Sequence, residues 1–262
     1  MGIITFLTDF GFKNNYVSQM KAVALNITNA KIVDICHHVT PQNVSEGAFL
    51  LKTAARYFPK GTVHVGVVDP GVGTERKGIV VVTPKHVFVG PDNGLFIPAA
   101  REQGSFDVYE IRNPRFMLNK ISNTFHGRDI FTPVAAYILE GIPFTEIGPS
   151  TKDYIDLNFE KKRVIDDKKI EGEIIHIDSF GNIVTNLTED DIKNFFSYGS
   201  EISVFLGGKR RKICFSKSYD YVDRNDFLAT IGSSGFFEIS INQGNAAEEL
   251  SVKAGDHIKI IH

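Results

Sequence analysis

The chain has 262 residues, 42% of them hydrophobic and 23% charged, with a formal net charge of -2. That length allows one large domain or two smaller ones with an ample core. The charge balance argues against a nucleic-acid binder, which needs a basic face or tail. No apolar run is long enough to cross a bilayer, and the first residues lack the basic flank and apolar stretch of a signal peptide. A cytoplasmic protein is expected. The cysteines Cys36 and Cys214 lie far apart in strand-like apolar runs, and read as buried free thiols in a reducing compartment.

Ile3 to Leu7 reads as a first buried strand, followed by the loop TDFGFKNN, which puts Asp9 at a strand's carboxyl end. Residues 16–27 carry helical spacing through Val17, Met20, Val23, Ala24 and Ile27, and Lys31 to Ile35 returns as a strand. Asn43 with Glu46 three residues on has the form of a capping box, opening a helix to about Phe58. Pro59-Lys60-Gly61 stops that helix, and Val63 to Val68 is a β-branched run suited to a strand covered on both faces.

The stretch VVDPGVGTER, residues 67–76, then forms a tight loop at the end of that strand. Asp69 precedes Pro70 and is pushed toward extended backbone, which carries its side chain past the strand end. Gly71 and Gly73 permit positive φ and can turn N–H groups toward one concavity. A dinucleotide fingerprint is excluded, because Arg76 stands where a glycine is needed and a strand follows instead of a helix. Strands from Ile79 to Thr83 and His86 to Val89 lead into GPDNGLF, with Asp92 at its tip. Strands alternating with helices predict an α/β unit with a largely parallel sheet and helices on both faces. Asp9, Asp34, Asp69 and Asp92 all fall at or near strand ends, where such sheets collect ligands.

Asp107 to Ile111 reads as a further short strand. TFHGRDIF, residues 124–131, precedes an apolar helix from about Asp129 to Leu139. His126 sits before that helix, near its positive end, where the imidazolium is disfavoured. The pattern weakens from Gly141 to Lys169, which reads as a linker. The predicted division is therefore an α/β domain over 1–150, a linker over 151–169 and a β domain over 170–262. In the last part EGEIIHID, IVTNL, EISVFL, KICF, FLAT, FFEISI and HIKII are short alternating segments, suited to a small barrel or sandwich. Short helices interrupt it near 189–196 and 246–250, and the basic run 209–212 after Gly207-Gly208 reads as a solvated hairpin edge. HIDSFGNIVTN offers Asp178, Phe180 and Asn182 as a carboxylate, a stacking face and an amide, although a hairpin turn uses the same residue types.

Several chemistries fail on these residues. His37, His38, His64, Asp69 and His126 are available to a metal, yet no HExxH or zinc spacing organises them. GSSG at 232–235 is not a nucleophile elbow, and a Walker-type Gly-Lys-Ser/Thr ending is absent. A carboxylate, an arginine and a histidine from two loops remain. Together they can position and polarise a water without a metal or a covalent intermediate.

LTDFG at 7–11, VVDPGVGTER, GPDNGLF, TFHGRDIF, IDSFGN and GNAA at 244–247 occur in one order along the chain. In these the chain closely resembles the S-adenosyl-L-methionine (SAM) hydrolases, or SAM hydroxide adenosyltransferases, relatives of the SAM-dependent fluorinase and chlorinase. The resemblance implies a β-barrel for the C-terminal domain and a homotrimer, with ligand between the N-domain of one subunit and the C-domain of its neighbour. It also implies attack of water or hydroxide on the ribose 5′ carbon of SAM, with SAM as substrate and no cofactor or metal. Asp69, Arg76 and His126 match the hydrolytic trio, and Asp9 the residue that binds both ribose hydroxyls. Asp178 matches the acid near the methionine amino group, and Asn182 and the backbone at Ala246 the adenine contacts; the same resemblance implies that Phe180 helps enclose the base and that Ser233 faces the methionine end. A halogenase shares the scaffold but lacks the trio, so its filled positions favour hydrolysis; a non-catalytic SAM sensor is the reading from another class. Asn15, Ser18 and Ser234 depart from patterns frequent among these relatives.

Overall fold

The computed structural model describes residues 2–158, 163–166 and 169–261. The chain divides into two compact units, Met1–Asn158 and Phe159–His262.

The first unit is built on one sheet. Its strands are β1 (Ile3–Thr8), β2 (Lys31–Cys36), β3 (Val63–Val67), β4 (Gly78–Val82), β5 (Val87–Pro91), β6 (Asp107–Glu110) and β7 (Ser150–Thr151), in the order β2-β1-β3-β5-β4-β6-β7. Parallel ladders join β2, β1, β3 and β5, and antiparallel ladders add β4, β6 and β7. Thus β2, β1, β3, β5 and β6 run one way, and only β4 and β7 oppose them. The helices are α1 (Tyr16–Leu25), α2 (Val44–Ala55), α3 (Ile97–Glu102), α4 (Thr132–Leu139) and α5 (Phe144–Ile147).

Alternation along the strands explains why both faces are covered. Ile4, Phe6, Val65 and Val67 share one core with Met20 of α1 and Val134 and Ala135 of α4. On the opposite face Gly47 of α2 packs within contact of Leu7, Val68 and Leu95, and Gly66 of β3 leaves room for Leu95 and Phe96. Side-chain bulk at Gly66 is excluded, because a Cβ there would lie 2.7 Å from Leu95. This face uses α3, which lacks a helical stretch long enough to announce itself in the sequence.

Local chemistry fixes the element ends. The Asn43 side chain accepts the Glu46 N–H at 3.1 Å, but Glu46 Oε2 accepts from Thr40 N–H at 2.8 Å, so only half of the expected capping box is present. α2 stops at Ala55, and Tyr57 and Phe58 tighten into bonds with Ala54 and Ala55. The helix expected from Asp129 begins instead as a π-helical turn over Gly127–Phe131. The loop from β3 to β4 passes over β5, because β5 lies between those two strands.

The second unit resolves the choice between barrel and sandwich. Its strands are β8 (Arg163–Asp166), β9 (Lys169–Ile177), β10 (Ile183–Thr188), β11 (Glu201–Leu206), β12 (Lys209–Phe215), β13 (Phe227–Ile231), β14 (Phe236–Ile241) and β15 (His257–Ile261). β9 pairs with β15 and, through its later residues, with β10, which closes β9-β10-β14-β13-β12-β11-β15 into a seven-strand barrel. β8 lies beside the first residues of β9. Two short helices, α6 (Glu189–Lys193) and α7 (Ala246–Leu250), interrupt the strands, and α6 opens with a complete Thr188–Asp191 capping box. Gly207 and Gly208 turn the β11–β12 hairpin at φ 57 and 71, the left-handed pair that a tight hairpin requires. Both cysteines are free and half-buried rather than fully buried. Among the described residues, no helix is long and apolar enough to cross a membrane.

Candidate active site

Asp69 and Arg76 are brought together by the β3–β4 loop. Val72 N–H bonds Asp69 O at 3.3 Å and Thr74 N–H bonds Gly71 O at 3.2 Å, so successive turns fold the loop back on itself. Only Gly73 of its two glycines takes a left-handed φ (78°). A Cβ on Gly73 would meet Asn123 O at 2.3 Å. The close approach of these backbones therefore needs glycine, and it carries the loop against the segment that holds His126.

The result is one connected trio. Arg76 Nε donates to Asp69 Oδ1 at 3.1 Å and Arg76 Nη2 to Asp69 Oδ2 at 2.7 Å, a bidentate pair. The same Nη2 lies 3.0 Å from His126 Nδ1. A guanidinium can only donate, so Nδ1 is the bare nitrogen and the neutral imidazole carries its hydrogen on Nε2. The pair is withdrawn from solvent, with side chains 10% and 4% exposed for Arg76 and Asp69. Arg76 also lies over the Phe131 ring at 5.2 Å, so the π-helical turn supplies its apolar floor.

Burial sets the protonation states. It pushes the Asp69 carboxyl above its ordinary value, against the pull of the Arg76 charge. Burial and then the Arg76 charge hold His126 below its ordinary value. Both causes favour the neutral imidazole, and His126 stands at the start of the π-helical turn as the sequence led one to expect.

Asp9, Asp69 and His126 line one cavity of about 340 Å³, whose apolar walls include Phe10, Tyr16 and Phe125. Gln42 N–H donates to Asp9 Oδ2 at 2.8 Å, which orients that carboxylate from the start of α2. Gln42 takes φ 65, a strained conformation for a residue with a side chain. Two of the four strand-end acids thus share the cavity. Asp34 instead pairs with Lys21 at 2.6 Å and His37 at 3.0 Å, and Asp92 accepts Ile155 N–H at 2.8 Å. Among the described residues, no three His, Cys, Asp or Glu are grouped so as to hold a metal ion. His64, one of the candidate ligands, is fully buried and bonds Thr5 Oγ1 at 2.7 Å.

The barrel holds a second cavity, of about 730 Å³, lined by Asp178, Phe180, Asn182, Tyr219 and Gln243 among others. Asp178 Oδ1 accepts the Phe180 and Asn182 N–H groups, each at 2.9 Å, and Oδ2 accepts Asn182 Nδ2 at 2.8 Å. The hairpin reading of this motif holds, since the carboxylate shapes the turn, and the same residue lines the cavity. The Phe180 ring is 76% exposed. Gly181 O accepts Ala247 N–H at 3.0 Å, which ties IDSFGN to GNAA at the start of α7. Ala246 is buried there and Ser233 is exposed in the β13–β14 loop, and neither side chain lines this cavity. Tyr16, Gln42, Phe125, Tyr219 and Gln243 are cavity residues that sequence reasoning did not assign to the site. Only the left-handed φ of Gln42 and Gln243 marks two of them, and that is a structural signal.

Comparison with known proteins gives the following. Residues 4–148 match the family model described as SAM hydroxide adenosyltransferase N-terminal domain, and residues 172–259 match its C-terminal domain. A protein of Methanocaldococcus jannaschii named (R)-S-adenosyl-L-methionine hydrolase is 40% identical over 100% of this chain and 97% of its own. A fluorinase of Nocardia brasiliensis is 25% identical over 98% of this chain and 96% of its own. The crystal structure of an uncharacterized conserved protein from Thermotoga maritima superposes with a TM-score of 0.93 at 41% identity, covering 99% of this chain and 100% of that one.

Proposed function

The chain belongs to the SAM hydroxide adenosyltransferase family, and from that premise we propose that it hydrolyses S-adenosyl-L-methionine to adenosine and L-methionine. The observation that carries the reading is the single Arg76 guanidinium nitrogen shared by Asp69 Oδ2 and His126 Nδ1 beside Asp9.

The substrate already contains a good leaving group, because its sulfur is a sulfonium. The enzyme need not protonate it; the work lies in placing a water behind the 5′ carbon, opposite sulfur. Orientation of this kind is worth roughly 7–11 kcal/mol in favourable cases. The new oxygen–carbon bond forms as the carbon–sulfur bond breaks, the electron pair goes to sulfur, and one proton leaves the water.

The tautomer supports one path for the proton. With Nδ1 occupied by Arg76, His126 offers an Nε2–H donor that holds the water oxygen rather than a lone pair that takes its hydrogen. Asp69 is then the base, and burial makes its carboxylate more basic than in water. Arg76 stabilises hydroxide character as it develops. Asp9 holds the ribose hydroxyls. Asp178, Phe180, Asn182, Ser233 and Ala246 of the barrel bind the methionine and adenine ends, and no cofactor takes part. The resemblance to the family supports a cytoplasmic homotrimer in which a neighbouring copy supplies the barrel side.

Purified protein is incubated with SAM and the products are separated by chromatography, with and without chloride or fluoride. Adenosine and methionine in equal amounts, independent of halide, are expected. A 5′-halo-adenosine, or tight SAM binding with no adenosine over hours, overturns the proposal.

A further inference from the structure

GPDNGLF is left without a role by the reaction above, since neither Asp92 nor Asn93 lines the cavity of Asp69 and His126. Their position in the fold is nevertheless particular. The reacting loop leaves β3, crosses β5 and enters β4, and β5 ends at Pro91, between the two feet of that loop. The next two residues touch both feet.

Asn93 Nδ2 donates to Val68 O at 2.7 Å, the carbonyl immediately before Asp69. Asp92 N–H donates to Lys77 O at 2.9 Å, the carbonyl immediately after Arg76. Arg76 Nη1 reaches the same Lys77 oxygen at 3.0 Å. The clamp thus holds the base on one side and the orientation of the guanidinium on the other. The clamp is itself held. Asn93 Oδ1 accepts Leu95 N–H at 3.2 Å, which fixes which face of the amide donates. Asp92 Oδ1 accepts Ile155 N–H, and Gly94, at φ 91, lies so close to Leu157 that a Cβ would come within 2.4 Å of its side chain. Backbone this crowded does not drift, and a reactive geometry tolerates only about half an ångström of drift.

We propose that Asn93 is a positioning residue for the hydrolytic trio, fixing the Asp69–Arg76 pair through the Val68 carbonyl without touching substrate. The inference rests on the hydrolase reading for its kinetic consequence, though not for its structural one. Displacement of a reacting group by about an ångström costs on the order of 10²-fold, so Asn93→Ala and the isosteric Asn93→Asp should each lower kcat roughly 10- to 100-fold. The KM for SAM should stay within about threefold, because the residues that bind substrate are not held by this amide.

Nitrogen-15 NMR of the Arg76 Nε–H, recorded without SAM, reads the pair directly. Wild type should show a protected, downfield-shifted resonance from its bond to Asp69, and Asn93→Ala should lose that protection while the remaining amide spectrum stays folded. Asn93→Ser replaces Asn93→Ala if the latter does not fold. A folded variant with unchanged kcat and unchanged Arg76 Nε–H protection overturns the proposal, as does a fall in melting temperature with kcat per folded molecule intact. If wild type releases no adenosine the hydrolase reading fails, and the NMR comparison still decides whether Asn93 fixes the pair.

Discussion

The two cavities differ in what their polar groups are doing. In the α/β unit the charged groups are spent on one another: Asp69 and Arg76 share two hydrogen bonds, and His126 is locked into one tautomer by the same guanidinium. In the barrel the cavity is about twice as large, 730 against 340 Å³, and is walled by an exposed phenylalanine, a tyrosine, side-chain amides and the carboxylates of Asp178 and Asp220, with no arginine among the described residues that line it. A small site with an interlocked trio suits the tuning of protonation and aim. A roomier one with a stacking face and amides suits shape and affinity. On the proposed reading the reacting groups belong to the α/β unit, which also holds the ribose through Asp9, and the barrel adds the adenine and methionine contacts, so substitutions at the trio should move kcat and those in the barrel KM.

Removing the proposed base is the strongest way to break that division. Asp69→Ala should lower kcat by roughly 10²- to 10⁴-fold, the usual range for a positioned general base, in an adenosine-release assay. Comparable turnover in the variant would remove Asp69 from the chemistry. Arg76→Lys keeps the charge but loses the fork that binds both carboxylate oxygens. A loss of about 10²-fold in kcat is expected, with KM little changed. Were KM to rise instead, Arg76 would belong with the recognition residues.

On the barrel side, Phe180→Ala should raise KM by about 5- to 150-fold, as losing roughly 1–3 kcal/mol of base stacking implies, and leave kcat near wild type. Its exposure means that the melting temperature should not move.

Smaller and confined to stability is the effect of pH on the α/β unit. Burial holds His64 down to about 3, and the neighbouring His86 adds to the shift. The folded state therefore binds fewer protons than the unfolded chain between the ordinary histidine value and that of His64. Stability supplied by neutral His64 is present above pH 6.5 and is lost as pH falls through that window, by up to about 1.4 kcal/mol per pH unit. In His64→Gln the denaturant midpoint should depend less steeply on pH below 6.5. An unaltered slope would show that other groups govern acid unfolding.

The legible parts of the site were those in which sequence neighbours do the work. Pro70 extends Asp69 past the strand and a turn of seven residues returns Arg76 to it, so one stretch of sequence contains the pair. Glycine freedom pointed to the right loop but to one residue too many, since Gly71 stays outside the left-handed region and only Gly73 makes the close approach. His126 Nδ1 meeting Arg76 across 50 residues is a product of packing that no local pattern encodes. Barrel closure was hidden for a similar reason. Alternation reads the same in a sandwich, and it is the late residues of β9, paired with β10, that shut the ring. The resemblance to the hydrolases supplied what alternation left open. Tyr219 was missed because it enters the cavity from a short 3₁₀ turn with no period, and its hydroxyl is fixed by Glu238 at 2.7 Å from a distant strand.

The central claim is that a solvent oxygen, aimed by Asp69, Arg76 and His126, attaches to the 5′ carbon in one step. A single turnover of enzyme in excess over SAM in ¹⁸O-labelled water, followed by mass spectrometry of the adenosine, tests it most directly. The account expects the label in the 5′ hydroxyl from the first turnover. Unlabelled adenosine would contradict it, because the oxygen would then have come from a carboxylate of the protein through a covalent intermediate.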